Sequence, residues 1–184
     1  MRSVVVAAVS VAPFRLNPSL LPGLHFRVMD LVIAPDDPRR DDARRLLASH
    51  LAFANEHSPP EDVHALDIDG LVDPAISFFS AQCDGALLGV GALKHLESAH
   101  VELKSMHTAA SARGLGVGRA ILDHLIGLAI QRGYQRMSLE TGTMAAFAPA
   151  RALYESVGFV PCEPFGQYFI SPNSVCMTRS LADR

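Results

Sequence analysis

From Arg113 to Ala120 the chain reads RGLGVGRA, and an apolar, helix-like run follows without a break. Gly114, Gly116 and Gly118 occupy alternate positions, where bare main chain lets backbone N–H groups approach a ligand and lets φ turn positive. A helix opening directly behind them adds unpaired N–H groups and a partial positive charge, a combination suited to phosphate. Arg113 and Arg119 bracket the loop with further positive charge. The physical expectation is a phosphate-containing ligand; a loop that only lets the helix pack closely is the plainer alternative.

The surrounding pattern sets the architecture. From Met29 onward, strand-like and helix-like stretches alternate without internal repeats, which predicts one mixed domain over 29–184. DLVIA reads as the first strand, and DDARRLLASHLAFANEH as a helix with Asp41 and Asp42 in its first turn. The long polar connection SPPEDVHALDIDGLVDP has room for one short helix and is a candidate substrate lip. AISFFSAQC and ALLGVGALKHL flank Asp84 and Gly85 as a hairpin, and AHVELKSMHTA continues the meander. After the glycine loop come a helix stopped by Gly133, a strand RMSLET, a helix APARALYESVG with Pro149 in its first turn, and strand-like YFIS and SVCMTRS.

The first 28 residues differ. SVVVAAVSVA imitates the apolar part of a signal peptide, yet a single arginine precedes it and the run is too short to span a bilayer. The expectation is an extension or a start codon set too early, ahead of a cytoplasmic domain. A net charge of −3 without a dense Lys/Arg cluster argues against a nucleic-acid partner. Cys83, Cys162 and Cys176 form no CxxC and read as reduced thiols, and no histidine spacing suggests a metal.

Three phosphate-binding designs compete for the loop. A nucleoside-triphosphate loop ends in Gly-Lys-Ser/Thr, whereas this one ends Gly118, Arg119, Ala120, with no hydroxyl for magnesium. A dinucleotide site finds its ribose-binding acid in Glu140, about twenty residues on, but HTAASA intervenes between strand and glycines and a bulky residue stands where the third glycine belongs. The third design matches Arg113, Gly116 and Gly118 as Gln/Arg-x-x-Gly-x-Gly/Ala, and ARALYESVGF follows with Ala150, Leu153, Tyr154, Gly158 and Phe159 at fixed spacing.

On these two motifs the chain resembles the GNAT acetyltransferases from about Leu31 to Leu181. MSLETGT and EPFGQYFISPNS further resemble a subgroup whose substrates are mostly uncharacterised. The resemblance implies the GNAT acyl-CoA N-acyltransferase fold, an α/β (α+β) domain with a mixed, mostly antiparallel central sheet flanked by helices. Dimers are common in the family, so a homodimer is a further expectation. One position departs: many members carry Asn seven residues before the tyrosine, where this chain has Phe147, so contacts to the cofactor arm there must be apolar or come from another group.

The implied activity is acetyl transfer from acetyl-CoA to the amine of a small molecule in a ternary complex. Pyrophosphate would sit on N–H groups from Leu115 through Val117 to Ala120, and the pantetheine would run beside the backbone of Met106, His107 and Thr108, in a gap before RMSLET. An alkylamine with pKa ~10 must lose a proton before attack. Strand alternation puts Glu102, Lys104 and Met106 on one face, making Glu102 the first choice of base and Glu140 the second; an ion pair of either carboxylate with Lys104 is the structural alternative. Tyr154 is the implied donor to the departing thiolate. His64, Lys104 and Asn173 are expected on the acceptor side, and an uncompensated Lys104 would favour an amino-acid-like carboxylate. The alternatives are a non-catalytic acyl-CoA-binding module and a nicotinamide-dependent oxidoreductase.

Overall fold

The computed structural model describes residues 14–15 and 30–182. The expected extension over 1–28 lies outside the described residues except for Phe14–Arg15, a two-residue strand (β1) paired antiparallel with β2. The remaining elements are β2 Asp30–Pro35, α1 Asp41–His57, α2 Ile68–Leu71, β3 Ile76–Cys83, β4 Ala86–Glu97, β5 His100–Thr108, α3 Val117–Gln131, β6 Arg136–Gly142, α4 Ala148–Ser156, β7 Val160–Cys162 and β8 Ser174–Ser180. The strands form one sheet in the order β1-β2-β3-β4-β5-β6-β8-β7. Every pairing is antiparallel except that of β5 with β6.

Local chemistry accounts for most boundaries. Asp84 and Gly85 have φ of 48° and 79°, the two positive values that a tight hairpin turn between twisted strands requires. Gly133, at φ 84°, lets the chain leave α3 in the left-handed conformation. The long connection holds a 3-10 turn, Pro60–Asp62, besides α2, whose first turn is capped by Asp67 through the N–H of Gly70 at 2.8 Å.

The sheet buries both faces. Val117, Ala120, Ile121, Leu125 and Ala129 of α3 pack with Leu93, Leu103 and Leu139 and with Tyr154 of α4. Ala43 and Leu47 of α1 and Leu71 of α2 cover Phe78, Val90 and Ala92 on the opposite face. Two helices therefore stand on each side of the sheet.

Two features depart from the sequence reading, and a third matches the gap expected beside RMSLET. YFIS is not a strand; Val160–Cys162 pairs with β8 instead, so β8 already has a neighbour on each side. Strand alternation also fails inside β5, where Val90 pairs with His107 but Ala92 with Lys104, inserting one extra residue. Ser105 takes φ 52° at this bulge. As a result Glu102 and Lys104 face α1 and α2, whereas Met106 turns to the α3 side with Leu103. Third, β5 and β6 pair only from His100 to Glu102 against Arg136 to Ser138 and then separate.

Candidate active site

Where β5 and β6 part, a cleft of about 540 Å³ opens. Met106, His107 and Thr108 line one wall, Glu140 and Gly142 the other, and the glycine loop closes one end. The bulge at Ser105 follows directly on the point where β5 leaves β6, beside the gap that the cofactor arm was expected to enter.

The loop itself is built for an anion. Gly114 and Gly116 have φ of 74° and 83°, and Gly116 opens α3 without any side-chain cap. The first-turn N–H groups at Val117, Gly118 and Arg119, all three residues on the cleft wall, are therefore the helix donors available to a ligand. The N–H of Ala120 donates to the carbonyl of Gly116 at 3.0 Å, and that of Leu115 makes a longer bond of 3.4 Å to Ala112. Leu115 and Ala120 pack with the core and do not line the cleft, so the cradle is narrower than the span from Leu115 to Ala120. A side chain at Gly118 would put its Cβ 3.2 Å from Thr108 Oγ1. Arg113 lines the cleft, whereas Arg119 is tied to Asp123 one turn on, at 2.8 Å.

Phe147 lines the cleft with an apolar ring where the amide would stand. Its ring lies against Gly142 and meets Phe53 of α1 edge-on at 5.2 Å. Arg151 fixes the adjoining turn by donating to the carbonyls of Gly142 at 2.6 Å and Met144 at 3.1 Å.

Tyr154 reaches the cleft from α4, 8% exposed, with Phe159 edge-on behind it. Burial, and then the negative charge of Glu140, push its hydroxyl up to about 12. The group therefore remains a neutral phenol through the whole working range of pH. Glu140 lines the same cleft, and its pKa is raised, chiefly by burial, although a Ser174 hydrogen bond and Lys104 act the other way. A carboxylate less acidic than usual is the better proton acceptor.

Glu102 is placed differently. It is 2% exposed, is not part of the cleft wall, and accepts the hydroxyl proton of Tyr168. Lys104 lies 3.4 Å from the same carboxylate and donates to Tyr168 at 2.7 Å and to the carbonyl of His64 at 3.0 Å. The ion-pair alternative thus describes Glu102 better than the role of base, and Lys104 is compensated, which removes its claim on an acceptor carboxylate. His64 lines the cleft with its ring edge-on to Tyr168 at 5.0 Å, and burial, then Lys104, lower its pKa. Asn173 lies outside the lining; its amide donates to Asp62 at 3.0 Å and holds the loop before β8 against the 3-10 turn.

Two residues went unread in the sequence. Tyr168 lay in EPFGQYFIS, which was read for its motif and its strand propensity rather than for its hydroxyl. Asp62 carried no signal beyond the long polar connection around it, yet it is 6% exposed and lines the cleft.

Comparison with known proteins agrees with this geometry. Residues 41–159 match the model of the "Acetyltransferase (GNAT) family". An uncharacterised N-acetyltransferase of Bacillus subtilis, YsnE, is 52% identical over 74% of this chain and 90% of its own length. A putative acyl-CoA N-acyltransferase from Klebsiella pneumoniae superposes with a TM-score of 0.70 at 26% identity, covering 82% of this chain and 97% of that one. A GNAT-family acetyltransferase from Elizabethkingia anophelis with acetyl-CoA bound has the same fold, with a TM-score of 0.60 at 17% identity over 82% of this chain and 97% of that one.

Proposed function

The chain belongs to the GNAT acetyltransferase family, and on that premise we propose that it transfers an acetyl group from acetyl-CoA to the amine of a small molecule by direct attack within a ternary complex. The observation that carries this reading is the cleft between β5 and β6, with an uncapped helix N-terminus at one end and both Glu140 and Tyr154 on its wall. The residues fit the donor: Val117, Gly118 and Arg119 offer N–H groups to a pyrophosphate, and Met106 to Thr108 border a channel for an extended arm. When bound, acetyl-CoA supplies a thioester carbonyl for attack by the amine nitrogen, with the C–S bond breaking.

Glu140 takes the proton that the amine gives up, directly or through a water. Its buried setting raises its basicity. Tyr154 holds its proton at that pH and gives it to the leaving sulfur as negative charge develops there. Glu102, Lys104 and Tyr168 form a support that fixes β5 against the loop before β8.

The test is thiol release from acetyl-CoA over a panel of amines, with calorimetry of acetyl-CoA alone beside it. Amine-dependent release supports transfer. Tight binding with no release for any amine identifies an acyl-CoA-binding module in which Tyr154 is idle.

A further inference from the structure

Asp62 holds an unsatisfied charge in the wall of the cleft. It sits at the end of the Pro60–Asp62 turn, 6% exposed, with Oδ2 accepting from Asn173 and Oδ1 buried without a hydrogen-bond partner. A buried carboxylate oxygen with nothing to accept from is costly unless another group supplies the donor.

Lys104 does not supply it. Its ammonium donates to Tyr168 and to the carbonyl of His64, and its charge is paired with Glu102 at 3.4 Å. His64 is half-buried, and burial, then that lysine, disfavour its charged form, with Asp62 and Glu102 acting the other way. Glu102 and Lys104 pair with each other, and two further carboxylates on the cleft wall, Asp62 on one element and Glu140 on another, form no salt bridge among the described residues. Their mutual repulsion contributes to the raised pKa of Glu140. The positive side chains Arg113 and Arg119 belong to the glycine loop.

One carboxylate is enough to receive the proton of the reacting amine, and Glu140 shares its surroundings with Tyr154. The geometry points to Asp62 as the residue that binds a second ammonium group of the acceptor, so the acceptor is a small diamine or polyamine. This rests on the acetyltransferase reading, because it assigns another part of the wall of the same cleft. An ω-amino acid would bring its carboxylate towards Asp62, and a monoamine would leave Oδ1 without its donor.

The experiment compares four-carbon ligands by calorimetry on the full chain saturated with CoA, so that no acetyl transfer is needed for the readout. Putrescine, n-butylamine and γ-aminobutyrate differ only at the end remote from one shared amine. The expected result is that putrescine binds about tenfold or more tightly than either, the size of a charge-assisted hydrogen bond, and that Asp62→Asn abolishes the difference while CoA affinity is unchanged. The asparagine keeps an acceptor for the Asn173 amide; if that variant fails to fold, the three wild-type affinities decide alone. Equal affinities, tighter binding of γ-aminobutyrate, or a preference that persists in Asp62→Asn overturns the inference. Selective putrescine binding with no thiol release from acetyl-CoA and putrescine would instead overturn the transferase reading and leave this subsite standing.

Discussion

Gly142 lies under the ring of Phe147, so closely that a Cβ at Gly142 would stand 2.6 Å from the ring carbon Cδ2. No real Cβ survives at that distance, and the ring is wedged edge-on against Phe53, so it has little room to retreat. Gly142→Ala is therefore expected to destabilise the protein by about 1–3 kcal/mol, the usual cost of overpacking. Adding Phe147→Asn, which replaces the ring with a smaller amide, should recover most of that loss. Thermal unfolding of the two variants checks the pair, and an equally low midpoint in the double variant would refute the clash.

At Gly118 the outcome should reverse, with ligand affinity affected more than stability. Its φ is unexceptional and its nearest neighbour is the hydroxyl of Thr108, so the fold can absorb a methyl group with a small shift. A pyrophosphate resting on the N–H groups of Val117, Gly118 and Arg119 cannot absorb it as easily. Gly118→Ala should raise the Kd for CoA by about tenfold, or ~1.4 kcal/mol, with little change in the unfolding midpoint. Calorimetry and a melting curve on one preparation separate the two quantities.

Much of this site could be read from the chain because glycine and helical periodicity leave plain marks. The positive φ of Gly114, Gly116, Gly133 and Gly158 falls where loops or helix ends were expected, and α1 spans the predicted seventeen residues. Serine itself carries no preference for φ 52°, so the bulge at Ser105 left only one mark in the chain, the two successive polar residues Lys104 and Ser105 that break the alternation of Val101 and Leu103 before Met106. That single bulge decides that Met106 and Glu102 face opposite sides of the sheet. YFIS was misleading for another reason: its composition favours a strand, but β8 is paired on both sides, and Gly166 at φ 59° turns Tyr168 towards Glu102 instead.

Stability should fall in mild acid through a pair of histidines. His50 and His107 have ring centroids 5.2 Å apart, and burial holds each at about 4, helped at His50 by His107 and Lys104 and at His107 by Arg113. The unfolded chain binds these protons near pH 6.5 and the folded one only near 4. Their contribution is thus complete above about 6.5 and is lost as pH falls from there through 4. Glu140 works in the opposite sense, because its raised pKa favours the folded state as it protonates, and so reduces the net slope. The unfolding midpoint should drop between pH 7 and 4.5, and replacing both histidines with glutamine should flatten that drop.

Tyr154→Phe should lower kcat by about 100-fold while leaving the Kd for acetyl-CoA unchanged, since the ring that packs on Phe159 is retained and only the proton donor is lost. With the hydroxyl held at about 12, the wild-type rate should have no alkaline limb from this tyrosine below about pH 11. A steady-state pH profile of both proteins provides the check, and unchanged kcat in the variant removes Tyr154 from proton transfer.

Glu102 and Glu140 can be told apart by which quantity each change affects. Glu102 is paired with a lysine whose side chain is 10% exposed, so Glu102→Gln leaves that ammonium buried without a counter-charge. Breaking a buried pair from one side costs about 3–5 kcal/mol, and most of that should appear as a lowered unfolding midpoint. Glu140 has no such lysine within salt-bridge distance, and its neutralisation relieves repulsion from Glu102 and Asp62, so Glu140→Gln should fold at least as well as the wild type. It should instead lose about 100-fold in kcat with the acid limb of the pH profile removed, as expected for a general base. The reverse pattern, with kcat lost in a stable Glu102→Gln protein and retained in Glu140→Gln, would return the role of base to Glu102.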